Sequence, residues 1–309
     1  MFRPASRSWF AVRLAVASLA LASAAWALPG RADAPRTAAA PAAYLSLGDS
    51  LAAGLQPDAR GHDRPTAAGY ADVVGRTLAR TRPGLRTIHL SCGGATTATL
   101  INGGAACQPK GQAGQLSRAE AYLRSHDDVA LVTVNIGDND VEPCVRMQPP
   151  SIDTACVRRQ RTVVARNLPQ IARRLRAAAG PSTAIVGIAD YDQFLALWRD
   201  GGAARAVARR SVGVILGLNA LMARIYRAAG VEVADAGVRF ATAQMGTTGS
   251  LPGVGPVPLP VQRVCQWTWA CSPPPVDHDD HARATGYEQI AGAILDTLAA
   301  DATGGSEAP

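Results

Sequence analysis

The chain has 309 residues, 48% of them hydrophobic and 18% charged, with 31 basic against 24 acidic side chains and a formal net charge of +7. That length and apolar fraction suit one large domain with a buried core. The positive excess is modest and dispersed, three of its charges fall in the first 27 residues, and Lys110 apart the basic residues are arginines, so composition gives no case for a nucleic-acid partner.

Residues 1–27 carry Arg3, Arg7 and Arg13, then an apolar stretch from Leu14 to Ala25 and a small-x-small site at Ala25-Trp26-Ala27. This is the pattern of a secretory signal peptide, with Ala22-Ser23-Ala24 and Ala32-Asp33-Ala34 as other cut points. The apolar run is shorter than the ~20 residues a spanning helix needs. The later apolar runs look short and interrupted by charge, Gly or Pro, so no stable membrane anchor is expected and the product is expected outside the cell. Residues 28–42, rich in Ala, Pro and Arg, read as a disordered lead-in, 43–302 as the single folded domain, and 303–309 as a disordered tail.

Within the domain, β-branched apolar runs at 44–47, 86–90, 129–135, 184–189 and 231–235 predict strands. Helical spacing predicts helices over 69–80, 115–125, 158–179, 205–229 and about 282–300. Strands that alternate with helices predict a parallel sheet covered on both faces. Two passages stand apart as long loops, 141–157 and the Gly- and Pro-rich 242–275, and both abut candidate site residues.

Four blocks carry chemistry. Tyr44-Leu45-Ser46-Leu47-Gly48-Asp49-Ser50-Leu51 puts a serine where a buried strand ends, the place where open α/β sheets set their chemistry. Leu90-Ser91-Cys92-Gly93-Gly94-Ala95-Thr96-Thr97 offers a glycine N–H, and Val134-Asn135-Ile136-Gly137-Asp138-Asn139-Asp140 ends another strand-like run in polar residues. Asp277-His278-Asp279-Asp280-His281, close to the C-terminus, holds two of the five histidines. Serine can serve as a nucleophile and a neutral imidazole as its base.

Serine, glycine, asparagine and histidine in this order, from about Ala43 to Ala299, resemble the SGNH or GDSL hydrolases, a family of esterases, lipases and related acyl hydrolases. The resemblance implies a three-layer α/β/α sandwich on a mostly parallel five-stranded, flavodoxin-like sheet. It implies Ser50 as nucleophile and His281 as base, because Ala282-Arg283-Ala284-Thr285-Gly286-Tyr287 matches the family's segment after the histidine. It also implies an oxyanion hole built from the Ser50 N–H, the Gly94 N–H and the Asn139 side chain, with no cofactor and no metal. The family's aspartate precedes the histidine by three residues, where this chain has His278. Asp279, two before, is the candidate orienting acid; Asp277 or a backbone carbonyl are the alternatives, and His278 the alternative base.

Six cysteines in an exported chain imply disulfides, and proximity pairs Cys92 with Cys107, Cys144 with Cys156, and Cys265 with Cys271. The expected activity is hydrolysis of a small-molecule or lipid carboxylic ester by a secreted monomer. Two rival functions remain: a metal-dependent hydrolase that gathers the Asp/His cluster 277–281 with Asp138 and Asp140, and a non-catalytic secreted binding protein. Phe194, Leu197 and Trp198 share one helical face, and Trp267 and Trp269 alternate near the histidines. Most residues of this kind belong to cores; any that line the cleft would favour an apolar acyl chain.

Overall fold

Five strands carry the fold, and three of them are buried along almost their whole length: β1 (Ala43–Gly48), β3 (Val129–Asn135) and β4 (Ala184–Ala189). Continuous apolar runs rather than alternating ones are what a strand covered on both faces requires. The edges are β2 (Arg86–His89) and β5 (Glu232–Asp235), which are more exposed. All neighbours pair in parallel, in the order β2-β1-β3-β4-β5. That is the flavodoxin-like order, with its topological switch between β1 and β3, where ligands bind beyond the carboxyl ends of the strands. This computed structural model describes residues 42–109 and 111–304. The expected signal peptide, all but the last residue of the lead-in, Lys110 and residues 305–309 lie outside the described residues.

Two layers of helices flank the sheet. Helices Tyr70–Ala79 and Ala284–Gly304 pack together on one side; Gln115–Ser125, Thr154–Ala178 and Gly202–Ala228 form the other. The last helix extends to Gly304, two residues beyond the boundary expected at 302. It contacts β5 and β4, and the opposite layer reaches the same two strands through Gly202–Ala228. That helix is long and apolar enough to cross a membrane by length and composition, which corrects the expectation that no segment after the N-terminal run is. In the fold its apolar stripe, including Ile215, Leu218, Met222 and Tyr226, is buried in the core.

Both expected loops hold structure. Residues 141–157 contain a two-residue hairpin, Val145–Arg146 with Ser151–Ile152, and the start of helix Thr154–Ala178, capped by the Asp153 carboxylate on the Ala155 and Cys156 N–H groups. Residues 242–275 contain the hairpin Thr248–Leu251 with Gly255–Pro258 and then helix Leu259–Trp267. Pro260 sits at the start of that helix, where its missing N–H costs no hydrogen bond and its fixed φ fits. Cysteines are joined as Cys92–Cys107, Cys144–Cys156 and Cys265–Cys271.

Candidate active site

The serine turn is built by backbone. Gly48 ends β1 at φ +136, and a Cβ there would stand 1.9 Å from the Asn135 carbonyl oxygen, so β1 and β3 approach this closely only because residue 48 is glycine. The same carbonyl accepts the Asp49 N–H at 3.1 Å. Gln115 then grips Gly48 from the helical layer: Gly48 N–H donates to Gln115 Oε1, and Gln115 Nε2 donates to the Gly48 carbonyl, both at 2.8 Å. The Leu51 N–H donates to Asp49 Oδ1 and the Leu55 N–H to the Ser50 carbonyl, which closes the turn around the half-buried Ser50.

The glycine and asparagine blocks are tied to each other and to this turn. Cys92 N–H donates to the Gly48 carbonyl at 3.0 Å. Thr97 donates through its N–H and its hydroxyl to the two oxygens of Asp140, each at 2.8 Å, and Asn167 Nδ2 donates to the Thr97 hydroxyl. Asn139 Nδ2 donates to the Ala95 carbonyl at 3.2 Å. A carboxamide nitrogen has two hydrogens, so one remains for the cavity that Asn139 lines.

The histidine loop is held from outside. Tyr191 OH donates to the Asp280 carbonyl at 2.7 Å, and the Trp269 N–H to the His281 carbonyl at 3.0 Å, beside a bridge between Thr268 and Ala282. Trp269 belongs to the short segment closed by Cys265–Cys271. Asp279 Oδ1 accepts both the His281 backbone N–H at 2.9 Å and the ring Nδ1–H at 3.0 Å. With Nδ1 protonated and engaged, Nε2 is left as the accepting nitrogen.

Ser50, Asn139 and His281 line one cavity at the switch point, together with Asp49, Leu51, Asp138, Asp190, Tyr191, Gln193 and Asp280. Gly94 is not among the lining residues; it has φ +69 and open space where a Cβ would stand, whereas a Cβ on Gly93 would lie 3.9 Å from that of Ser50. His278 lines neighbouring grooves with Asp200, not this cavity. Phe194, Leu197 and Trp198 are buried in the core and offer no apolar cleft wall. Trp267 stands edge-on to Phe240 at 5.1 Å, and Trp269 donates to Gln56 under the Arg283 guanidinium.

The cavity is acidic, yet much of its charge is suppressed. Burial raises Asp49 and Asp138 well above the usual carboxylate range, with the Asp190 charge adding to both. Burial lifts Asp190 to about 7, against the hydrogen bond it accepts from Asn135 Nδ2. Asp280 is raised by burial as well. At His281 burial favours the neutral ring, but the hydrogen bond to Asp279 and the charges of Asp280, Asp279 and Asp63 outweigh it and lift the imidazole to about 9.

Of the residues of the metal-dependent alternative, Asp138, Asp280 and His281 line the cavity, but the others are engaged or turned elsewhere. Asp140 is spent on Thr97 and Asp138 accepts from Gln193 Nε2, while Asp277 faces His278 at 4.0 Å. Among the described residues a tight donor grouping is formed by Asp63, Asp279 and His281, in which His281 Nδ1 lies within ion-pair distance of both carboxylates. Sequence inspection misses Gln115, Tyr191 and Asp63. Tyr191 follows β4 and was findable as a strand-end residue; Gln115 and Asp63 carry no local signal.

A family model described as GDSL-like Lipase/Acylhydrolase matches residues 46–254. No curated protein matches the chain. Among solved structures, an extracellular lipase from Streptomyces rimosus is similar at 19% identity and a TM-score of 0.51, over 83% of this chain and 99% of that one. The lipase Lip_vut3 from a goat rumen metagenome is similar at 14% identity and a TM-score of 0.52, over 83% and 97%. At these identities the structural likeness establishes the shared fold.

Proposed function

The chain belongs to the GDSL-like lipase/acylhydrolase family, and from that premise we propose that it is a secreted, cofactor-independent serine hydrolase that cleaves carboxylic esters through an acyl-enzyme. The observation that carries this is the meeting of Ser50, Asn139 and His281 in one cavity, with Asp279 on the far nitrogen of the imidazole. In the proposed cycle His281 Nε2 takes the Ser50 proton as the oxygen attacks the ester carbonyl. Asp279 holds the tautomer and stabilises the imidazolium that results. The oxyanion is met by the Ser50 N–H, the free Asn139 Nδ2–H and an N–H of the Gly93-Gly94 turn, with Gly94 the donor carried over from the family. The imidazolium then protonates the departing alcohol, and water returns by the same route to release the acid.

Export is supported by the N-terminal charge and hydropathy pattern and by the pairing of all six cysteines, which suits an oxidising compartment. The substrate proposed is a small-molecule or lipid ester, taken by a single chain without nucleic acid or a stable membrane anchor.

The test is Ser50→Ala. Cleavage of nitrophenyl esters, and labelling by a fluorophosphonate, should disappear while the melting temperature stays within a degree or two of the parent. Activity that survives Ser50→Ala, or that chelator removes and added metal restores, would overturn the reading.

A further inference from the structure

His281 has a partner that the proposed triad does not require. Asp63 Oδ1 lies 3.3 Å from His281 Nδ1, the ring nitrogen that is also 3.0 Å from Asp279 Oδ1. Asp63 comes from a hairpin, Leu55–Pro57 against Asp63–Pro65, that leaves the serine turn and returns before helix Tyr70–Ala79. The hairpin is fastened to the segments around His281. Tyr287 OH donates to the Leu55 carbonyl at 2.7 Å and Trp269 Nε1 to Gln56 Oε1 at 3.2 Å. At its tip, a Cβ on Gly61 would stand 2.6 Å from the Pro275 carbonyl oxygen, so the hairpin lies directly on the chain that leads into the histidine loop.

A second carboxylate has a physical use here. Asp279 is only two residues before the histidine, and its Oδ1 serves the backbone N–H as well as the ring. One oxygen divided between two donors orients the ring less firmly than an undivided one. We propose that Asp63 is a positioning residue for His281, an ion-pair partner at Nδ1 beside the Asp279 hydrogen bond, so that two carboxylates from different parts of the chain hold the imidazole and stabilise its charged form. The groups that face the ring are then Asp279 and Asp280 from its own loop, Asp63 from the hairpin, Asp49 from the serine turn and Glu142 from the segment after Asn139. The two partners are unequal: Asp63 is raised, by burial first and with its contact to Asp279 adding to it, whereas the hydrogen bond from His281 holds Asp279 below the usual range despite burial. Asp63 is thus the first of the pair to protonate as pH falls.

This inference rests on His281 as the base, and its test is arranged to fail separately from that assignment. In the Ser50→Ala protein, where no turnover is involved, the His281 ring is titrated by NMR with and without Asp63→Asn. A carboxylate within ~4–6 Å typically shifts a partner by about 1–3 pH units; for a partly exposed one the low end applies, so Asp63→Asn should lower the His281 titration by about one unit. With Ser50 intact, the acid limb of kcat/KM on a soluble nitrophenyl ester should move down by the same amount in Asp63→Asn and return towards the parent in Asp63→Glu. Asp279→Asn should keep residual turnover, and the double variant should lose more than the product of the two single losses. An unmoved ring titration in Asp63→Asn overturns the proposal. A shifted ring in a protein that cleaves no ester overturns the enzymatic reading and leaves the pairing standing.

Discussion

The serine turn and the histidine loop face each other across one cavity and are held by different means. Around Ser50 the groups being held are backbone: the Gly48–Asn135 approach, the Asp49 N–H on the same carbonyl, and the Gly48 peptide groups gripped at two points by the Gln115 side chain. Around His281 the fixing groups are side chains and a cross-link: Asp279, Asp63, Tyr191 and the Cys265–Cys271 segment. The position of Ser50 is therefore a property of the sheet, and that of the His281 ring is set largely by local electrostatics. Substitutions on the two sides should fail differently, in folding on one and in protonation on the other.

The severest break lies on the serine side. Gly48→Ala puts a methyl group 1.9 Å from a carbonyl oxygen of the central strand, at a φ that alanine resists, and should give no folded protein by circular dichroism or by soluble yield. A normally melting Gly48→Ala protein would refute the account of a backbone-fixed nucleophile. Asn139→Ala comes next and should act on rate alone. Loss of an oxyanion donor costs about 2.7–4 kcal/mol in the barrier, or roughly 10²–10³ in kcat, and steady-state kinetics with unchanged turnover would remove Asn139 from the hole.

The histidine side is read by pH. A base with its imidazole lifted to about 9 is charged at neutrality, so kcat/KM should climb with pH through about 9 before levelling. The stability linkage has the opposite direction. The folded pKa lies above the unfolded value, so the contribution of the charged ring is fully present below ~6.5 and is lost as pH rises through about 9. The melting temperature attributable to His281, taken as the difference between parent and His281→Ala, should fall over the window in which activity rises. A kcat/KM profile already flat at pH 7 would show that the carboxylates do not hold the ring as described.

Disulfide removal gives the smallest effect and separates the two sides once more. Paired Cys→Ser changes at Cys92–Cys107, a separation of 15, should cost roughly 3 kcal/mol, and at Cys265–Cys271, a separation of 6, roughly 2 kcal/mol. The second, less costly in denaturant melts, should be the more damaging to kcat, because that segment carries the Trp269 N–H that holds the His281 carbonyl. Equal losses of kcat from the two would mean that the cross-link does not position the loop.

The three inner strands were legible because burial on both faces of a parallel sheet demands unbroken apolar runs, and β3 and β4 fall where those runs do; the edges β2 and β5 are more exposed, and their runs reached one residue beyond the strands. The hairpin and helix within 242–275 were not, since their Gly and Pro content imitates a loop and their burial comes from contact with other elements. That Ser50, Asn139 and His281 line one cavity could be anticipated because each stands beside a strand end or a helix start.

Sequence by itself determined the alternation of strands and helices, the order of the candidate site residues and the glycine at position 48, because each is written in a few consecutive side chains. Only the tertiary structure decided which carboxylates reach His281 and what clamps the serine turn. Asp63 and His281, like Gln115 and Gly48, are far apart along the chain and have no periodicity or spacing in common. They meet because the sheet brings its strand ends together, and a contact made by folding leaves no local pattern to read.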